Sequence, residues 1–159
     1  MRSKDPLQKG FTIIELVVVL VIVGILGTLV TLTYSGVRVN NRNADRQANI
    51  DTLQSELEAY YAERSKYPTL AELNNEQWRG ENMKSLNAGV LKDPRFSEES
   101  TCATDKKATL AGAPTENCFS YEARAGGGEA CDNDKAPCAH YTLTAMLEGG
   151  EKYVKTSLN

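Results

Sequence analysis

Two hydrophobic patterns divide the first 65 residues. From Phe11 to Tyr34 apolar side chains are almost unbroken, 24 residues with Glu15 as the single charge. As a helix this run would measure ~36 Å at ~1.5 Å per residue. The hydrocarbon core of a bilayer is ~30 Å thick. Past Tyr34 the pattern turns amphipathic. Ile50, Leu53, Leu57, Tyr60 and Tyr61 recur at three- and four-residue spacing, with Asp45, Arg46, Asp51, Glu56, Glu58 and Glu63 on the polar side. No proline stands between Leu7 and Tyr67, so the patterns predict one helix from residue 11 to about Ser65. The Tyr67-Pro68 pair ends it.

The period then changes. Residues 66–117 read as a connecting region. In it Thr69-Leu70-Ala71-Glu72 fits a capping box for a short helix, and Asp93-Pro94 marks a turn. Phe119 to Ala123 and Tyr141 to Leu147 alternate as strands do, and Gly149-Gly150 before Lys152 to Lys155 predicts a hairpin with a two-residue turn. The expected fold class is α+β: a long N-terminal helix, apolar in its first half and amphipathic in its second, packed on a C-terminal antiparallel sheet of three or four strands.

Composition adds compartment and partners. The formal charge is −3, with no basic cluster, so nucleic acid is not an obvious partner. A signal peptide would have an apolar region of about 7–15 residues and then a small-residue cleavage site. This run is longer and has no such site after it, so membrane insertion at the N-terminus is expected. Arg2, Lys4 and Lys9 precede the run and Arg38, Arg42 and Arg46 follow it, which ties the positive-inside count. The four cysteines, Cys102, Cys118, Cys131 and Cys138, lie near the C-terminal end, and an even number suits disulfides in an oxidising space. That places the C-terminal domain outside the cytoplasm. Four cysteines allow three pairings. The sequence-local one, Cys102–Cys118 with Cys131–Cys138, is favoured over free thiols or a four-thiolate zinc site, since no C-x-x-C occurs.

A carboxylate at membrane depth costs several kcal/mol unless paired or neutralised. Glu15 could lie at the interface, be protonated or be tolerated. Its surroundings point elsewhere. The stretch KGFTIIELVVVLVIVGILGTLV has a short basic leader ending in Gly10, then Phe11, Thr12, and Glu15 alone in the apolar run. It resembles the N-terminus of type IV pilins and pseudopilins. Beyond the motif the resemblance is one of architecture. It implies three segments: a removable leader over 1–10, a transmembrane and filament-core helix over 11–34, and an extracellular globular domain over 35–159. It implies cleavage between Gly10 and Phe11 by a membrane prepilin peptidase, and N-methylation of the new terminus at Phe11. Losing Arg2, Lys4, Lys9 and Asp5, three positive charges and one negative, takes the side-chain charge from −3 to −5.

The resemblance also implies that Glu15 and the Phe11 ammonium of a neighbouring copy pair during assembly. Each charge offsets the other's desolvation, and a wrong register buries both unpaired. An intramolecular pair with its own N-terminus is the alternative. The implied partners are other copies of the chain, the peptidase, a membrane assembly platform and a motor ATPase system. No cofactor, catalytic residue or metal ligand is implied. Gly24 and Gly27 suit either close helix packing or local melting in a filament, and the absence of a proline counts against melting. Asp132-Asn133-Asp134 reads as a solvated turn rather than a calcium loop, and His140, next to a strand, has no nucleophile partner. The expected role is structural, as a pilus-like filament subunit or as a pseudopilin of a secretion or DNA-uptake apparatus. A membrane-anchored binding domain that never polymerises is the remaining reading.

Overall fold

The computed structural model describes residues 10–97, 102 and 108–159, and for residues 29–35 the helical backbone alone. Apart from Gly10, the expected leader lies outside the described residues. The chain divides into two units, Met1–Asn40 and Asn41–Asn159.

The first helix, α1, runs Ile13–Arg64. It starts two residues later than the apolar pattern, because Thr12 caps it. It stops where Ser65 takes φ 55°, a left-handed cap, and Ser65 N–H donates to Tyr61 O.

The second unit contains the core. Ile50, Leu53, Leu57 and Tyr60 of α1 are buried in one cluster with residues of the sheet and the connecting region. The sheet has three antiparallel strands in the order β1-β2-β3: β1 (Ser120–Ala125), β2 (Cys138–Met146) and β3 (Lys152–Thr156). The pairs Tyr121↔Leu143 and Ala123↔Tyr141 set the first register, and Ala145↔Tyr153 the second. Tyr121, Tyr141, Leu143 and Ala145 thereby join the core. The β2–β3 turn is longer than the expected two residues. Leu147 N–H donates to Glu151 O and Gly150 N–H to Leu147 O, leaving Glu148, Gly149 and Gly150 as the loop. Both glycines have positive φ, 112° and 91°, which a side chain would resist.

Among the described residues between α1 and β1 are the short α-helices α2 (Leu70–Asn74) and α3 (Glu76–Asn82) and a 3-10 turn over Ala88–Leu91. Thr69 and Glu72 form the capping box of α2. Asn75 ends α2 and starts α3, accepting Trp78 N–H at its side chain. Trp78 packs partly buried on the core, 5.7 Å from the Tyr60 ring. Asp93-Pro94 turns the chain, with Phe96 N–H on Asp93 O.

Arg46 departs from its expected place on the polar side, being 0% exposed. Its Nε and Nη2 reach the two oxygens of Asp93 at 2.7 and 3.0 Å, and Nη1 donates to Asn43 Oδ1 and Glu148 Oε1. A carboxylate 47 positions away decides this, and helical periodicity carries no trace of it. Arg42 grips the Glu148 carboxylate with Nε and Nη2, and the Asn43 side chain bonds the Glu148 backbone in both directions. The β2–β3 turn is thus tied to α1.

Cys102 is bonded to Cys118 and Cys131 to Cys138, with Cα separations of 5.6 and 5.1 Å. The first bond belongs to a small cluster with Ala111 and Phe96. The second anchors the start of β2, where Tyr67 N–H also pairs with Cys138 O.

Candidate processing and assembly site

The first unit is built by a conflict between an apolar sequence and the polar ends of its helix. The first N–H groups of any α-helix lack partners inside it. Here Thr12 and Glu15 supply them. Thr12 N–H and Thr12 Oγ1–H both donate to Glu15 Oε2, at 3.0 and 2.8 Å, and Glu15 N–H donates to Thr12 Oγ1 at 3.3 Å. The bonds at Thr69 and Glu72 connect the same atoms, at 2.6, 2.9 and 3.2 Å. A carboxylate in the first turn also complements the positive end of the helix dipole. Among the described residues, no hydrogen bond reaches Glu15 Oε1.

Gly10, Phe11 and Thr12 lie ahead of the helix. Phe11 is 83% exposed, and nothing lies within 4 Å of a Cβ built on Gly10. The Gly10–Phe11 peptide is therefore accessible and outside the helical hydrogen-bond ladder. Along the following turns every aliphatic side chain from Ile13 to Leu26 is roughly half exposed or more. Built Cβ atoms at Gly24 and Gly27 meet nothing within 4 Å. A helix apolar all round needs lipid or protein against it. Among the described residues no helix is long and apolar enough to cross a membrane. The apolar turns with described side chains, Ile13 to Thr28, number 16 residues. They would measure ~24 Å, short of a ~30 Å core. The rest of the expected span, residues 29–34, has no described side chains.

The other candidate residues belong to the second unit. Cys102, Cys118, Cys131 and Cys138 are tied in the two disulfides. In the Asp132-Asn133-Asp134 turn the Asn133 amide donates to Tyr67 O and Glu72 Oε2, and its oxygen accepts Cys138 N–H. Asp132 Oδ1 accepts Asp134 N–H. The Asn133 side chain thus ties the turn to Tyr67, Glu72 and the start of β2. Among the described residues no group of three or more His, Cys, Asp or Glu is placed to hold a metal. His140 is exposed and its Nδ1 lies 3.1 Å from Asn159 O.

A family model described as the prokaryotic N-terminal methylation motif matches residues 6–31, which include the Gly10–Phe11 junction, Thr12 and Glu15. The chain is also similar to the type II secretion system core protein G of several bacteria. It is 42% identical to that of Dickeya chrysanthemi over 65 residues, 39% of this chain and 40% of the relative. For Klebsiella michiganensis the figures are 45% over 65 residues, 39% and 44%. For Aeromonas hydrophila they are 40% over 65 residues, 39% and 43%. The N-terminal part of the chain is thus similar to that of prepilin-type proteins, the type II secretion core proteins among them. Its match spans less than half the length of these curated relatives. No solved structure matches.

The role of Thr12 as a helix cap was missed in the sequence, although the signal was there. Thr12-Ile13-Ile14-Glu15 shares the T-x-x-E pattern of Thr69-Leu70-Ala71-Glu72. Inside an apolar run Glu15 stands out as an isolated charge, and that hides its local partner.

Proposed function

We propose that the chain is a pilin-like structural subunit, made as a membrane-anchored precursor and assembled into a filament after its leader is removed. The observation that carries this is the matched segment over residues 6–31, with a lone carboxylate one turn into an otherwise apolar helix. A prepilin peptidase cuts between Gly10 and Phe11, and Phe11 is N-methylated. The new ammonium of one copy meets Glu15 of the next. Thr12 occupies Oε2, and Oε1 faces no described donor, so the carboxylate has room for a second, cationic partner.

The exposed apolar turns supply the free energy of assembly. In lipid they gain little by touching one another. Outside lipid, complete burial of each large aliphatic side chain stabilises by ~1.5–3 kcal/mol. Extraction from the membrane therefore needs a motor, and packing in a filament core offsets exposure to water. The two disulfides suit an oxidising space outside the cytoplasm. No enzymatic activity is part of this reading.

Within the family, the relatives' names favour a pseudopilin of a type II secretion apparatus over a pilus that acts in motility or adhesion. Deleting the chain then blocks export of secreted proteins and leaves surface pili unchanged; the reverse outcome selects the pilus. Mass spectrometry of protein from the envelope and from sheared filaments tests the common part. The expected mature N-terminus is a singly methylated Phe11. Glu15→Leu keeps the protein in the membrane and abolishes filaments. Filaments with intact leaders, or normal filaments from Glu15→Leu, overturn the proposal.

A further inference from the structure

We infer that Thr12 is a positioning residue for the cut between Gly10 and Phe11, because the cap it forms with Glu15 stops α1 short of that peptide and keeps it extended for the peptidase. The inference rests on the proposed processing and adds a residue to it.

Hydrolysis adds water across the Gly10–Phe11 C–N bond. The Gly10 carbonyl carbon takes the water oxygen and becomes a carboxylate, and the Phe11 nitrogen leaves with both water protons as an ammonium. No other reactant is needed. Attack requires an accessible carbonyl, and extended peptides present their main-chain groups to a binding cleft. Inside a helix the carbonyl would be bonded to the amide four residues on, and side chains would surround it.

Nothing in Phe11 itself would stop a helix. Apolar surroundings favour extending one, because they penalise unpaired N–H groups. Upstream of Thr12 the next residue with a capping side chain is Asp5. A helix that ran past Thr12 would therefore take Gly10 and Phe11 into its first turns. Instead Thr12 and Glu15 satisfy the end of α1 with three bonds, and the helix begins at Ile13. The box at Thr69 makes the same three bonds at the start of α2, where no cut is at issue.

If only the extended form binds the peptidase, losing the cap lowers the population that binds. Apparent affinity falls by that fraction while turnover at saturation is unchanged. The test uses the full chain in detergent micelles with a purified prepilin peptidase, following initial rates of leader release. Thr12→Val keeps the shape of the side chain and removes the hydroxyl. It is expected to raise KM by up to about fivefold at unchanged kcat, the factor an ordinary N-cap contributes. Thr12→Asn, a different shape that still caps, restores KM to near its original value. The Cα chemical shifts of Gly10 and Phe11 move towards helical values in Thr12→Val and return in Thr12→Asn.

Unchanged kinetics in Thr12→Val overturn the inference and leave the processing reading standing. Equal loss in Thr12→Asn and Thr12→Val also overturns it, since the peptidase would then be reading threonine itself. No cut in the unsubstituted chain overturns the processing reading and this inference together.

Discussion

Arg46 places a guanidinium where its side chain is 1% exposed, against an Asp93 side chain that is 2% exposed. Such a pair is an expensive way to fill space, because desolvation of both ions offsets most of their attraction. Breaking one side of it leaves a buried charge that costs ~3–5 kcal/mol. Asp93→Ala should therefore lower the unfolding free energy by about 3 kcal/mol, read as a fall in the urea midpoint with Trp78 fluorescence as the probe. Exchanging Arg46 and Asp93 together for apolar residues of similar size should cost far less.

Glu148, beside this pair, titrates in a revealing range. Chiefly through its hydrogen bonds with Arg42, its carboxyl is held at about 2, below the usual 4.5. A depressed acid contributes stability above its unfolded value and loses it as the proton is taken up. Melting temperature should thus be level above pH about 5 and fall as pH drops from about 4.5 to 2, with a smaller fall in Glu148→Gln. Tyr67 works at the other end. Burial first, with the Glu58 carboxylate second among the raising causes, pushes its phenol up to about 12. Its contribution is complete below pH about 10 and is lost as pH rises from 10 towards 12. Neither ion-pair partner was legible in the sequence. Arg46 and Asp93 are 47 residues apart, and helical periodicity placed Arg46 on the wetted side.

Elements were easier to read than residues. The amphipathic half of α1 shows itself through Ile50, Leu53, Leu57 and Tyr60, all buried in the core. β1 and β2 show themselves by alternation. The second short helix, α3, does not. It has seven residues, includes Gly80, and begins at an asparagine that also ends its neighbour. No periodic signal develops over such a length. The β2–β3 turn was misread by one residue, because Gly149-Gly150 matches a two-residue hairpin in composition while Glu148 is drawn out of the strand by Arg42 and Asn43. The disulfides act at this scale too. In the chain-entropy model, closing the loop of sequence separation 16 is worth ~3 kcal/mol and the one of 7 ~2.5 kcal/mol. Replacing Cys131 and Cys138 by alanine should lower the melting temperature and speed amide exchange at the start of β2, while the exchange of β3 changes less.

At the scale of the whole molecule the chain is two units with opposite needs. The side chains of the main core cluster all come from residues after Asn41, from Ile50 to Tyr153. A fragment of residues 41–159 should therefore unfold in one cooperative transition at a midpoint close to that of the full chain in detergent. A broad, non-cooperative melt would show that the second unit leans on residues before Asn41. The full chain should need detergent, since about half or more of each apolar side chain from Ile13 to Leu26 is exposed.

Tension gives the tie between α1 and the β2–β3 turn a further meaning. Arg42 and Asn43 are the second and third residues of the second unit, and both are bonded to Glu148. A pull applied along α1 from its N-terminal side reaches these bonds before any core side chain. Arg42 and Asn43 hold both the side chain and the backbone of Glu148, so freeing the turn requires several bonds to break. The turn acts as a strain relief at the mouth of the folded unit, and the hydrophobic interior is shielded from force until that fastening gives.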